Sequence, residues 1–139
     1  MEIILEPEIS AEEYMDFREG AGWAKIKPER VKALLKNTAF LVRAKAEGKT
    51  VGIARSLFDF GYTAYIADVI VKPEFQGKGV GRLMIEYLLS KIKENSAADD
   101  FLMINLLAAP GKSGFYENFG FEKRTEETGW GMCIKLNGK

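Results

Sequence analysis

Between Asp68 and Met84 the chain reads Asp-Val-Ile-Val-Lys-Pro-Glu-Phe-Gln-Gly-Lys-Gly-Val-Gly-Arg-Leu-Met. The apolar run is a buried strand stopped by Pro73, and Gly77, Gly79 and Gly81 then lead into an amphipathic helix. A helix start leaves its first N–H groups without internal partners and carries partial positive charge. A glycine-rich entry lets a phosphate come close enough to use them. The chain has no histidine and a single cysteine, Cys133. The commonest general base and the commonest metal ligand are thus missing, and neither an internal disulfide nor a cysteine-based metal cluster can form. Proton transfer from a nucleophile falls to carboxylates, acting directly or through water.

The elements that must position this stretch follow from pattern and punctuation. Glu2 to Leu5 reads as a first strand before Pro7. Ser10 with Glu13 three residues on is a capping box for a helix carrying Tyr14, Phe17 and Arg18, ended by Gly20 and Gly22. Pro28 with Val31, Leu34 and Leu35 signals a second helix. Ala39 to Lys45 and Thr50 to Phe58 are strands joined by a hairpin at Ala46 to Lys49, and Asp59-Phe60-Gly61 turns into a long strand, Tyr62 to Lys72.

Beyond the glycines, Val80, Leu83, Met84, Tyr87, Leu88 and Ile92 keep helical period. Asn95 to Asp100 is a polar loop, and Phe101 to Ala108 an apolar strand expected to be covered on both faces. Strand, helix and strand in that order make a right-handed crossover with parallel strands. Pro110-Gly111 breaks the strand, and a short helix holds Phe115, Tyr116 and Phe119 up to Gly120. Phe121 to Arg124 and Met132 to Leu136 are expected as two closing strands.

Bulk properties bound the rest. A chain of 139 residues, 47% apolar and 29% charged, is expected to be one domain spanning 1–139. Its 20 basic and 20 acidic residues cancel, which argues against nucleic acid or an anionic membrane as partner. The N-terminus shows no basic region or cleavage site, and no apolar run approaches the ~20 residues of a membrane span. With one cysteine, a reducing cytoplasm is the expected location.

The loop is not a nucleotide-binding P-loop, because no Lys and Ser or Thr follow Gly81. Nor does its glycine spacing fit the dinucleotide fingerprint. The segment Val71-Lys72-Pro73-Glu74-Phe75-Gln76-Gly77-Lys78-Gly79-Val80-Gly81, followed later by Phe115-Tyr116-Glu117-Asn118-Phe119-Gly120-Phe121, resembles the GNAT superfamily of acetyl-CoA-dependent N-acetyltransferases. The resemblance is strong over Ala67 to Phe121 and rests on element order in the first half.

It implies an α/β (α+β) single domain. The central sheet would be mixed and mostly antiparallel, of about six to seven strands with helices on both faces, splayed at its two parallel central strands. The resemblance further implies that the amides of Gly77, Lys78, Gly79, Val80, Gly81 and Arg82, preceded by Gln76, hold the CoA pyrophosphate. The main chain of Val69, Ile70 and Val71 would pair with the pantetheine arm as with another strand. No metal is implied.

The implied reaction is acetyl transfer to a primary amine of a small molecule or a protein by direct attack in a ternary complex. Asp68, alone in an apolar strand, is the best-placed base, although a buried Asp is as often held by main chain or an Arg. Tyr116 matches the family tyrosine that protonates or hydrogen-bonds the leaving thiolate; otherwise it packs between Phe115 and Phe119. A backbone N–H near Ile70 is the expected donor to the thioester oxygen. One departure stands out: Ala109 occupies a position where many members carry a CoA-holding Asn, leaving Asn105, Lys112 or Ser113 to replace it.

Arg18, Trp23, Phe58, Phe60, Trp130 and Met132 are the candidate walls of the acceptor pocket. A homodimer would be in keeping with the family. A covalent acetyl-cysteine step at Cys133 is disfavoured, though still open, by its place near the end of the last expected strand. The alternative reading is a non-catalytic acyl-CoA-binding sensor or interaction module, against which the presence of Tyr116 counts.

Overall fold

The computed structural model describes residues 1–97 and 100–139, so part of the loop expected at Asn95 to Asp100 lies outside the described residues. The elements in order are β1 (Ile3–Glu6), α1 (Ala11–Gly20), α2 (Pro28–Lys36), β2 (Phe40–Ala46), β3 (Lys49–Phe58) and β4 (Thr63–Val71). A 3₁₀ turn (Pro73–Phe75), α3 (Val80–Glu94), β5 (Met103–Leu106) and α4 (Ser113–Glu117) follow. The chain divides into two compact units, Met1–Leu106 and Leu107–Lys139.

The first unit holds one sheet in the order β1-β2-β3-β4-β5, antiparallel except for the parallel pair β4 and β5. Local chemistry sets its corners. The Ser10 hydroxyl accepts the Glu13 N–H at 3.1 Å while the Glu13 carboxylate accepts the Ser10 N–H at 2.9 Å, the capping box that starts α1. Glu47 and Gly48 both have positive φ, the conformation a two-residue hairpin turn demands between β2 and β3.

Helices cover both faces. Val80, Met84, Ile85, Leu88 and Ile92 bury one side of α3 on the sheet, where a Cβ at Gly52 would stand 2.9 Å from the Met84 methyl. Adjacent residues of a strand point to opposite faces, so Ile53 turns the other way. There it joins Ile70, Tyr14, Phe17, Val31 and Ile9 in a second cluster beneath α1 and α2. Burial of such side chains, at about 1.5–3 kcal/mol each, holds the three layers together.

β4 carries an irregularity that shapes everything around it. The register runs Arg55 opposite Ala67 and then Ile53 opposite Ile70, so Asp68 and Val69 together face the single residue Ala54. That is a β-bulge, and Asp68 takes up its geometry with φ +53, a left-handed conformation uncommon outside glycine.

Two expectations are corrected. Strands number five among the described residues, not six to seven, because neither Phe121–Arg124 nor Met132–Leu136 forms one. From Arg124 to Trp130 the backbone is tied into local bonds instead. Arg124 donates to the carbonyls of Thr128 and Gly129, Thr125 and Thr128 bond each other, and Trp130 Nε1 donates to Glu126 at 2.7 Å. Side chains that bond nearby backbone in this way compete with a sheet ladder.

β5 is also shorter than Phe101 to Ala108 and is not covered on both faces: Phe101, Met103 and Leu107 are all exposed. Among the described residues no strand pairs with its other side, so it is also an edge strand.

Candidate active site

β4 extends beyond its pairing with β5. Their pairing runs from Thr63 with Met103 to Ile66 with Leu106, and beyond it β4 continues to Val71 with no strand on that side among the described residues. Because β5 ends at Leu106, the last residues of β4 have an open edge among the described residues. Hydrogen-bond alternation tells which residues face the gap. Asp59 N–H donates to the Thr63 carbonyl at 3.1 Å, which turns Ala64 and Ile66 toward β5. Past the bulge, Lys72 N–H donates to the Val51 carbonyl at 2.9 Å, which turns Ile70 toward β3 and Val71 away from it.

The extra residue thus switches the parity, and odd-numbered Val69 and Val71 face the open side. Of the three residues expected to pair with pantetheine, Ile70 has its main chain committed to β3 and its side chain to the core under α1.

The strand then turns into the glycine loop. Gln76 Nε2 donates to the Val71 carbonyl at 3.0 Å, folding the 3₁₀ turn back onto the end of β4. Gly77 at φ +75 and Gly79 at φ +86 take the conformation that glycine alone adopts freely, and a Cβ on either would meet open space. Gly79 stands as the N-cap of α3 with no side chain capping it, so the first N–H groups of the helix are presented by backbone alone. Lys78 Nζ lies over the Phe75 ring at 5.5 Å, and Arg82 pairs with Glu86 at 3.7 Å on an exposed face.

Asp68 projects to the α1 side of the sheet and is engaged on both oxygens. Its Oδ2 accepts the Tyr14 hydroxyl at 2.5 Å and Arg55 Nε at 2.6 Å, and its Oδ1 faces Arg18 Nη1 at 3.5 Å. Arg18 also donates to the Ala24 carbonyl and lies over the Trp23 ring, while Arg55 donates to the Thr38 hydroxyl at 3.0 Å. Tyr14 is 1% exposed, and its phenol is pushed up, first by burial and then by its bond to Asp68. Of the two readings open for Asp68, this geometry is that of a carboxylate held by arginine.

Tyr14 and Arg55 are the partners of Asp68 that sequence reasoning did not single out. Signals for both existed: Tyr14 and Arg18 are four apart on one helix face, and Arg55 is a lone cation in an apolar strand, opposite in sign to the lone Asp68.

In the second unit, Tyr116 sits on α4 between aromatic neighbours, its ring 5.0 Å from Phe115 and 6.1 Å from Phe121. Burial pushes its phenol up. Ala109 takes part in the turn before α4, its carbonyl accepting the Lys112 N–H at 3.0 Å. Among the expected acceptor walls, Phe58 and Phe60 meet at 5.0 Å and Phe40 joins them. Trp130 and Met132, in the other unit, are exposed. The geometry therefore gathers Arg18 with Trp23, and Phe58 with Phe60, as two separate groups.

A family model described as acetyltransferase (GNAT) domain matches residues 36–123. An uncharacterized N-acetyltransferase, ycf52, from Pyropia yezoensis is 34% identical over 109 residues, covering 76% of this chain and 60% of its own length. Serotonin N-acetyltransferase 2, chloroplastic, from Oryza sativa subsp. japonica is 33% identical over 78 residues, covering 56% of this chain and 37% of its own. The chain thus spans 60% and 37% of the length of these two curated relatives. A crystal structure from meticillin-resistant Staphylococcus aureus, a protein of unknown function described as a probable acetyltransferase, superposes with a TM-score of 0.83 at 28% identity. It covers 97% of this chain and all of its own.

Proposed function

The chain belongs to the GNAT acetyltransferase family, and from that premise we propose that it transfers acetyl from acetyl-CoA to a primary amine by direct attack in a ternary complex. The observation that carries this reading is the continuity of two donor-binding features. The open edge of β4 at Val69 and Val71 runs directly into the uncapped start of α3 behind Gly77 and Gly79. Main-chain groups along the edge suit the pantetheine amides, and the N–H groups of Gly77 to Arg82 suit the pyrophosphate. The match to the family model crosses from one unit into the other, which supports taking 1–139 as one acetyltransferase domain.

The thioester supplies an activated acetyl carbon. The amine must reach it neutral, which for a lysine-like amine at pH 7 costs about 4.6 kcal/mol. The N–C bond forms, the C–S bond breaks, the amine's proton leaves to water or a carboxylate, and the thiolate departs. Tyr116 is the residue assigned to that thiolate. A phenol near 10 is already a weaker acid than a thiol near 8.5, and burial pushes Tyr116 further up. Hydrogen bonding to sulfur is therefore its main contribution, with full proton transfer uphill. An N–H at the open β4 edge, from Val69 or Val71, is the donor to the thioester oxygen.

The acceptor is an amine of a small molecule or a protein. The aromatic residues among the candidate walls, and a relative named for serotonin, favour an aromatic or apolar amine. The reaction belongs to the cytoplasm, in keeping with a free, exposed Cys133, and a homodimer is its proposed form. Among the described residues no helix is long and apolar enough to cross a membrane.

Calorimetric binding of CoA combined with thiol release from acetyl-CoA over a panel of amines tests the reading. Tight binding with turnover on an aromatic amine is expected. Binding without turnover on any amine would replace the enzyme by an acyl-CoA-sensing module.

A further inference from the structure

We propose that Asp68 is a positioning residue: its carboxylate, gripped by Tyr14, Arg55 and Arg18, pins the β4 bulge and so turns Val69 and Val71 toward the acyl donor, rather than taking the proton of the amine. The inference rests on the reading of β4 as the donor edge.

Three observations carry it. First, Asp68 has φ +53 within a strand, a conformation that L side chains rarely adopt and that persists only where the surroundings over-determine it. The surroundings here are specific. One grip comes from α1 through Tyr14 and Arg18, and another from β3 through Arg55, so the carboxylate ties the bulge to both layers next to it.

Second, the bulge decides which main-chain groups meet the gap. Without the extra residue, the parity of Ala64 and Ile66 would continue to Asp68 and Ile70. Ile70 would then leave the cluster it shares with Tyr14, Phe17 and Ile53, and the donor edge would present different groups. The pin sits at the one residue where that choice is made.

Third, one oxygen is committed and the other, Oδ1, faces the Arg18 cation at 3.5 Å. Oδ2 already takes a hydroxyl at 2.5 Å and a guanidinium N–H at 2.6 Å, both on Asp68 as an acceptor. A base must offer a lone pair to its substrate, and a proton placed on Oδ2 would weaken two short charge-assisted bonds. The charged groups facing the carboxylate are Arg18 and Arg55, with Tyr14 the titratable neighbour.

Asp68→Asn, Asp68→Ala and Tyr14→Phe test the proposal with two readouts. In the unliganded protein, amide hydrogen exchange at Ile70 and Lys72, whose N–H groups face β3, is expected to rise at least tenfold in Asp68→Ala and Tyr14→Phe while β2 is unchanged. Asp68→Asn is expected to rescue most of it, because Asn tolerates the left-handed region and its carbonyl oxygen can still accept from Tyr14 and Arg55. Calorimetric CoA affinity is expected to follow the same order, and the acidic limb of the pH–rate profile to stay where it is in Asp68→Asn.

An Asp68→Asn enzyme with wild-type exchange and CoA affinity, but kcat reduced a hundredfold or more and its acidic limb gone, would make Asp68 the base and overturn the proposal. So would wild-type exchange in Asp68→Ala or Tyr14→Phe. Should Asp68→Ala fail to fold, Tyr14→Phe and Asp68→Asn carry the test. A wild-type protein that binds no CoA would instead remove the donor-edge reading, while the exchange data still judge the pin.

Discussion

Tyr116 and Tyr14 are both phenols raised by burial, and they lead to opposite experiments. For Tyr116, the residue proposed to hold the leaving thiolate, the consequence is catalytic. Since its proton is held through and beyond the usual tyrosine range near 10, Tyr116→Phe should lower kcat about 10–100-fold across neutral pH and leave CoA affinity within about twofold. Single-turnover thiol release and calorimetry would separate the two, and an unchanged kcat would remove Tyr116 from the chemistry. For Tyr14 the consequence is stability. Its folded value lies above the unfolded one near 10, so its contribution is complete below that pH and is lost as pH rises through the folded value. Urea unfolding between pH 8 and 11 should show the decline, and Tyr14→Phe should flatten it. The lone Asp68 and the aromatic-Tyr segment were legible in the sequence because each stands out against its neighbours. The grip on Asp68 was not, because Tyr14 lies 54 residues away and Arg55 13, and only the fold brings them to one carboxylate.

Elements were legible in proportion to how local their causes are. The capping box of α1, Pro28 at the start of α2 and the glycines before α3 each act within a turn or two, and each stands where spacing placed it. The closing strands failed because Met132 to Leu136 has an alternating pattern but no ladder partner among the described residues, and pattern alone does not supply one. Arg43 shows the non-local kind of element chemistry. It donates to Glu6 at 2.6 Å, Glu8 at 2.8 Å and Glu13 at 2.9 Å, joining β2 to β1 and α1. Burial alone would raise Glu13, but the Ser10 N–H, the Thr50 hydroxyl and Arg43 outweigh it and hold the carboxyl below its usual range. Stability from Glu13 is therefore present above about pH 4.5 and lost as pH falls through the lower folded value. Arg43→Ala should cost about 1–3 kcal/mol in urea unfolding at pH 7, and less as the pH falls through that range. At the start of α3, Gly79→Ala meets no atom but must hold φ +86, at a cost of about 1–2 kcal/mol. CoA affinity should drop with it, whereas Gly20→Ala, which meets no atom and has no such φ, should not affect CoA.

At the scale of the whole molecule, 20 acidic and 20 basic residues leave no net field to draw in an anionic donor. On the proposed reading, recognition of CoA is short-ranged, made by the β4 edge and the N–H groups behind Gly77 and Gly79. A ligand that binds only the folded state stabilises it by about 2.7 kcal/mol at one hundred times its Kd. For a chain of this length that corresponds to a Tm about 8–10 °C higher. Pantetheine keeps the arm that the open edge would pair with and lacks the pyrophosphate. At equal concentration its thermal shift should be much smaller than that of CoA, and Gly79→Ala should narrow the difference. Because the contacts are close, the CoA shift should survive at about 0.5 M salt, where interactions beyond a few ångströms are screened. Equal shifts from CoA and pantetheine would mean that the glycine loop does not hold the pyrophosphate, and the assignment of the donor site would then rest on β4 alone.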